Sequence, residues 1–189
     1  MATSAVQICS NALLLLGAQT INAFNEDNDR AKLASNLWEN CRDAVLRGHP
    51  WNCAVKRVQL AADVDAPAFE WAYQYTLPGD WLRTLSVGEE GEIIAYQMES
   101  GKILCDEEVK LRYIWKNTNV TTWDSMLVEA VTAYMAFTMA YPVTKSASVQ
   151  DAMARAYEFK LKQARAVDGQ ENPPEQVGDF PFLDARRMG

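Results

Sequence analysis

Two hydrophobic patterns alternate along the chain, one with the period of a helix and one with the period of a strand. Near the N-terminus, Ser4 and Gln7 match a helix-capping box, and apolar residues then recur at spacings of three and four. These apolar residues are Ala5, Ile8, Cys9, Ala12, Leu13 and Leu16. Gly17 is placed to end this helix. A second helix is predicted from about Asp29 to Arg47, where a glycine and then a proline follow.

Between Cys53 and Trp115 the pattern changes to short alternating stretches that are rich in β-branched and aromatic residues. The predicted strands are Val55–Leu60, Tyr73–Leu77, Leu82–Val87, Ile93–Met98 and Val109–Trp115. Turns are predicted at 78–80 and 89–91, and the segment 99–102 reads as a hairpin turn that joins two strands. We therefore expect a small antiparallel sheet or sandwich.

Helical periodicity returns after the strands. Thr122 or Asp124 caps a helix that is predicted to run to about Tyr141 and to be broken by Pro142. This helix is apolar on nearly all sides, so we expect it to lie at the centre of the fold. The apolar run from 126 to 143 is long enough to raise the question of a membrane span, but its polar residues favour a buried helix.

A last helix is predicted to open at the capping box formed by Ser148 and Asp151 and to end near Asp168-Gly169. The expected fold class is α+β. Residues 1–52 and 120–168 are predicted to form a four-helix bundle, residues 53–119 a β-rich insertion, and residues 169–189 an extended C-terminal arm.

The charge of the chain is acidic and uneven. The 189 residues carry a net charge of −7, which argues against a nucleic-acid reader that works by neutralising phosphates. Residues 89–108 hold seven carboxylates and one lysine, and Glu89, Glu90 and Glu92 are the candidate functional residues among them. A solvated acidic face is the plainer interpretation, and the ligand spacing of a known calcium loop is missing.

Few residues suit catalysis. The single histidine, His49, precedes Pro50 and Trp51, so packing or capping is its expected role. His49 with Cys53 forms the only conceivable thiol–imidazole pair, which keeps a small cytoplasmic hydrolase open as an alternative. No dinucleotide, phosphate-loop or nucleophile-elbow motif occurs, and no catalytic residue, metal or cofactor is predicted.

Two further features concern compartment and ligands. The four cysteines lack Cys-x-x-Cys spacing and have apolar neighbours, which favours reduced core thiols in the cytoplasm, and no basic region precedes the first apolar run, so no signal peptide is expected. A cluster of Trp71, Tyr73, Tyr75 and Trp81 keeps a ligand-binding module open as a second alternative, although core packing or a subunit contact is the plainer explanation.

The C-terminus combines features of a disordered tail with apolar anchors. Two prolines favour an extended path, and aromatic and basic side chains follow them. The candidate partner-binding residues are Phe180, Phe182, Leu183, Arg186 and Arg187. Exposed aromatics are unusual in a free tail, so this segment is expected to dock on a partner, or else on its own domain or a neighbouring copy.

Several stretches, taken in order, resemble the tail tubular protein A family, the head-to-tail adaptors of short-tailed bacteriophages. The resemblance extends over nearly the whole chain, and its motifs are packing motifs rather than catalytic ones. They are Ile8–Gly17, Arg42–Asn52, Pro67–Tyr73, Tyr75–Asp80, Leu127–Ala130, Ala140–Thr144 and Leu183–Arg187.

The resemblance implies a helical bundle that carries a β-rich domain, and a ring that normally has twelve subunits. One rim would dock on the capsid portal and the other on the tail nozzle, a protein like tail tubular protein B. Genomic DNA would pass through the channel without sequence-specific binding. The protein would then be a virion component at the head–tail junction, assembled in the host cytoplasm with no membrane. Glu89, Glu90 and Glu92 would face the channel or a charged partner rim, because a negative lumen repels phosphate.

Overall fold

Within residues 4–89 and 91–171, which the computed structural model describes, the chain forms four α-helices and two small antiparallel sheets. The helices are α1 (Ala5–Leu15), α2 (Asp29–Arg47), α3 (Ser125–Thr144) and α4 (Ala147–Glu171). The strands are β1 (Val55–Gln59), β2 (Tyr73–Thr76), β3 (Trp81–Val87), β4 (Tyr96–Glu99), β5 (Lys102–Cys105) and β6 (Lys110–Trp115). The predicted α+β class is confirmed.

The first three helices begin at side-chain caps that are visible in the sequence. Ser4 caps α1, Asn28 caps α2 and Asp124 caps α3, and each side-chain oxygen accepts a backbone N–H from the first turn. The predicted start of α1 and both predicted ends of α2 are confirmed. Of the two caps proposed for α3, Asp124 is the one that the structure uses, because its carboxylate accepts two backbone N–H groups.

The predicted break of the central helix at Pro142 is wrong. Helix α3 continues through Pro142 to Thr144 and ends where Lys145 adopts a left-handed backbone with φ of 56°. The hydroxyl of Thr144 donates to the carbonyl of Ala140 (2.7 Å), and the backbone N–H of Lys145 donates to the carbonyl of Tyr141 (2.9 Å). Proline has no N–H to donate to the carbonyl of Thr138 one turn earlier, so a single helical hydrogen bond is lost near the end of α3 while the following carbonyls keep their donors.

Both predicted ends of α4 also need correction. The helix starts at Ala147, and the cap is Ser146, whose hydroxyl accepts the N–H of Val149 at 3.4 Å, rather than Ser148. At the other end α4 passes through Gly169 and is described to Glu171. Hydrogen bonds between Asp168 and Asn52 hold the last turns of the helix from outside. No local sequence pattern indicates these bonds.

The strands form two three-stranded sheets. Sheet A has the order β1-β6-β3 and sheet B the order β2-β5-β4, with every pair antiparallel. The predicted hairpin turn between β4 and β5 is confirmed. Its central residues, Ser100 and Gly101, have φ of 46° and 77°, as a two-residue type I′ turn requires. The predicted strand at 93–98 starts later, at Tyr96, because 93–95 pair with no other strand.

Two cores hold these elements together. Helix α3 is central, and α1, α2 and α4 pack around it. Ile114 of β6 belongs to this helical core, so sheet A lies against the helices at that end of the strand. A second core fills the space between the sheets and contains Tyr75, Val87, Ile103, Cys105, Val109, Leu111 and Tyr113.

Among the described residues, α3 is the one helix that is long and apolar enough to cross a membrane. Nine of its residues are buried against other parts of the chain. This packing explains the apolar character of α3 in the way that the sequence predicted.

Candidate functional site

The acidic turn predicted at 89–91 joins β3 to β4 and is tied to the neighbouring strand. Glu89 Oε1 lies 2.6 Å from Lys110 Nζ, and the backbone N–H of Glu89 donates to Glu92 Oε2 at 2.8 Å. The ion pair with Lys110 lowers the pKa of the Glu89 carboxyl. Both side chains are exposed, so the pair orders the turn rather than adding much stability. Glu90 lies outside the described residues.

Three further carboxylates of the acidic stretch lie in a second turn, while Glu99 ends β4. Asp106, Glu107 and Glu108 follow β5 and border a cleft of about 740 Å³ together with Tyr73 and Tyr75. The hydroxyl of Tyr75 donates to the carbonyl of Glu107 at 2.7 Å. These three acidic residues therefore lie apart from the turn that holds Glu89.

A groove of about 780 Å³ crosses sheet A, and we call it the arginine groove. Its lining includes Arg57 of β1, Arg112 of β6 and Ser86 of β3, with Glu89 and Glu92 at the rim. Arg57 stands directly opposite Arg112 in the strand register, and Arg112 stands opposite Ser86. Both arginines are exposed, and neither forms an ion pair with any described residue.

The arginine groove was missed by the sequence analysis. Lys110 and Arg112 alternate along β6 and place two positive charges on one face. Arg57 joins them only because β1 pairs with β6, a contact between segments that are far apart in the chain. Local patterns cannot fix that pairing.

A buried carboxylate, Asp168, joins the end of α2 to the end of α4. The side chain of Asp168 is 4% exposed. Its Oδ1 accepts the backbone N–H of Asn52 at 2.9 Å, and its Oδ2 lies 3.0 Å from Nε2 of His49. Asn52 Nδ2 donates to the backbone carbonyl of Asp168 at 2.9 Å, and Arg165 donates to the carbonyl of Gly48. We call these contacts the Asp168 junction.

The structure gives His49 a partner other than Cys53. The His49 ring packs edge-on against Trp51 at 4.6 Å and points Nε2 at Asp168. Burial lowers the pKa of His49, although the hydrogen bond and the charge of Asp168 act in the opposite direction. Burial, with the charges of Asp124 and Asp168, raises the pKa of the Cys53 thiol to about 12. A nucleophilic cysteine needs the opposite shift, so this geometry does not favour the hydrolase alternative.

The aromatic residues of the middle segment do not form one platform. Tyr75 is buried in the core between the sheets, while Tyr73 is about half exposed at the edge of sheet B. Trp81 lies on sheet A, where its Nε1 donates to Thr84 and the Arg47 guanidinium lies 5.7 Å from the centre of its ring. The structure therefore keeps Tyr73 and Tyr75 together, with their ring centres 6.5 Å apart, and places Trp81 on the other sheet.

The candidate docking residues Phe180, Phe182, Leu183, Arg186 and Arg187 lie outside the described residues. In the parts of the chain that are described, no group of three histidine, cysteine or carboxylate side chains is placed to hold a metal ion. The four cysteines are free, and three of them, Cys9, Cys41 and Cys105, are buried.

Comparison with known proteins gives no family assignment. A scan against protein-family models found no matching family, and a search of curated proteins found no match.

Proposed function

We propose that this protein is a structural virion subunit, a head-to-tail adaptor of a short-tailed bacteriophage. It forms a ring between the capsid portal and the tail nozzle, and genomic DNA passes through its channel. This proposal starts from the resemblance of several sequence stretches, taken in their order along the chain, to the tail tubular protein A family. It keeps the implied partners: portal, a nozzle like tail tubular protein B, and other copies of the chain, twelve in the family's usual ring.

The observation that carries the proposal is where the family-like stretches lie in the fold. Ile8–Gly17 forms α1 and its end, and Arg42–Asn52 forms the end of α2 and half of the Asp168 junction. The stretch Tyr75–Asp80 ends at a carboxylate that binds Lys56 Nζ at 2.6 Å and the hydroxyl of Tyr113 at 2.9 Å. These contacts join the end of α2 to α4 and strand β1 to β6, which suits a protein whose role is to hold a shape.

The finer architecture is part of the same proposal. The four helices form a bundle, residues 53–119 are an insertion into it, and the C-terminal segment is an extended arm. Phe180, Phe182 and Leu183 supply apolar anchors that enter pockets on the portal, and Arg186 and Arg187 pair with carboxylates there. Repetition around a ring turns a small gain per arm into strong avidity.

The charge distribution supports a conduit rather than a nucleic-acid reader. The chain carries a net charge of −7, and Glu89 and Glu92 are exposed at one turn. We propose that this turn, with Glu90, faces the channel or a charged partner rim at the head–tail junction of the virion. Assembly takes place in the host cytoplasm, and no membrane is involved.

Native mass spectrometry and negative-stain imaging of the purified chain, with and without portal, test the proposal. We expect closed rings, in solution or on the portal. A chain that stays monomeric under both conditions and hydrolyses generic ester or peptide substrates would contradict the adaptor role and favour an enzyme.

A further inference from the structure

The two arginines of the arginine groove form no ion pair with a described carboxylate. Arg57 and Arg112 are directly opposite on neighbouring strands, an arrangement in which like charges repel each other. Both side chains are exposed, and an arginine fork binds a carboxylate through two parallel hydrogen bonds. A carboxylate placed between the two arginines would therefore remove the repulsion and gain charge-assisted bonds.

The C-terminal segment starts close to this groove. Helix α4 is described to Glu171, where Oε2 of that residue accepts a hydrogen bond from Asn52 Nδ2 at 3.3 Å. Asn52 lies three positions before Val55, the first residue of β1, and Arg57 is the third residue of that strand. Glu171, the last described residue, thus lies near the start of the strand that carries Arg57.

The two arginines also face the side of sheet A that packs against the helical core. Ile114 is two positions after Arg112 on β6, and side chains two positions apart share a face of a strand. Ile114 is buried in the helical core, to which Ala164 of α4 also belongs. The helices cover this face at the Ile114 end and leave it open at the Arg112 end.

The length of the segment matches the distance. Arg57 is five positions beyond Asn52, which is at most about 17 Å of extended chain. Asp179 is eight positions beyond Glu171, which allows a reach of about 26 Å, and Asp184 reaches further. Both carboxylates can reach the groove without any change in the described fold.

We propose that, before the chain meets portal, the arginine groove is a docking site for the chain's own C-terminal segment, residues 172–189, whose Asp179 and Asp184 carboxylates bind Arg57 and Arg112. The rim adds complementarity, because Glu89 and Glu92 face the groove while Arg186 and Arg187 follow Asp184 in the segment. The same rim carboxylates repel phosphate, so the mixed charges favour a peptide of this composition over a nucleic acid.

Carbodiimide cross-linking of the full chain tests the proposal, since this reagent joins carboxylates to amines without adding a spacer. The variant Arg57→Lys with Arg112→Lys keeps both positive charges and places at each of these two positions an amine that can be joined to a carboxylate. Peptide mass spectrometry should find cross-links from position 57 or 112 to Asp179 or Asp184. The matched control is Arg155→Lys, at an exposed position on α4, which should give no such cross-link.

Two further experiments identify the residues and the chain that make the contact. Asp179→Asn with Asp184→Asn should abolish the cross-link while the other lysine cross-links remain. A mixture of ¹⁵N-labelled and unlabelled chains should give cross-linked peptides of a single isotope, because the contact lies within one chain.

The proposal is overturned if the groove lysines give no more cross-link to Asp179 and Asp184 than the Arg155→Lys control. Mixed-isotope peptides alone would assign the groove to the segment of a second copy instead. Duplex DNA that binds the wild-type chain and not Arg57→Gln with Arg112→Gln, without any cross-link, would assign it to nucleic acid. None of these measurements uses portal, so their outcome is independent of the adaptor role.

Discussion

Asp168 organises more contacts than its neighbours in the sequence suggest. Its carboxylate binds a backbone N–H and a histidine, and its carbonyl accepts from the Asn52 amide. The sequence predicted His49 to be a packing or capping residue, and the contacts with Trp51 and Asp168 agree with that role. The partner itself could not be predicted, because it lies 119 positions away and no local pattern marks it.

We predict that Asp168→Asn destabilises the protein by about 1–3 kcal/mol, because a buried charge-assisted hydrogen bond is lost and a donor is placed among donors. The free energy of unfolding in urea, followed by tryptophan fluorescence, measures this change. The matched control is Asp151→Asn, at an exposed position on the same helix, which should change stability by less than about 0.5 kcal/mol. Equal effects at the two positions would contradict the structural role of the Asp168 junction.

His49 should make stability depend on pH in a defined direction. Its pKa is lowered by burial from the ordinary value of 6.5, so the unfolded chain takes up a proton that the folded chain resists. The contribution of His49 is therefore complete above pH 6.5 and is lost as the pH falls through the folded-state pKa.

We predict that the unfolding free energy of the wild type decreases more than that of His49→Gln between about pH 7.5 and about pH 5. Paired urea titrations at each pH isolate the histidine from the carboxylates that both proteins share. Parallel curves for the two proteins would show that His49 titrates alike in the folded and unfolded chain.

At the scale of single elements, helices with a side-chain cap and a clear apolar stripe were predictable from the sequence. Helix α2 has both, and its predicted ends at Asp29 and Arg47 are confirmed. The failures have two different causes. Pro142 lies so close to the end of α3 that it removes a single helical hydrogen bond, and the bonds to the carbonyls of Ala140 and Tyr141 close the helix after it. The end of α4 is held by a non-local contact with Asn52.

The hairpin between β4 and β5 was predictable because its turn residues have a local conformational reason. Gly101 adopts φ of 77°, which costs a residue with a side chain about 1–2 kcal/mol. We predict that Gly101→Ala lowers the free energy of unfolding by about 1 kcal/mol.

Gly79→Ala is the matched control for this substitution. Both glycines have open space where a Cβ would stand, and only Gly101 has a positive φ. The control should therefore be close to neutral in the same urea titration. A cost at Gly79 as large as that at Gly101 would mean that the backbone conformation is not the cause.

At the scale of the whole molecule, the sequence indicated the mixture of helices and strands but not how charges meet on the surface. Composition alone marks the acidic turn at Glu89, whereas no local pattern marks the arginines beside it. Their proximity depends on the register of β1 against β6, which the hydrophobic pattern of either strand leaves open.

Deleting residues 177–189 should separate docking from folding. The deletion leaves the Asp168 junction intact, and surface ion pairs contribute little stability, so we predict an unchanged thermal midpoint. The truncated chain should no longer bind portal. Undiminished affinity for portal would rule out the C-terminal segment as the docking arm, and a lost ring would place that segment in the ring contacts instead. A lowered midpoint would show that the contact of the segment with its own subunit contributes more stability than surface ion pairs do.

The adaptor role is tested most directly by mixing the full chain with the portal protein of the same phage and imaging the product by electron microscopy. The account predicts a closed ring of this chain seated on one rim of the portal, with a continuous central channel. Portal particles that remain bare at concentrations where both proteins are folded and soluble would contradict it.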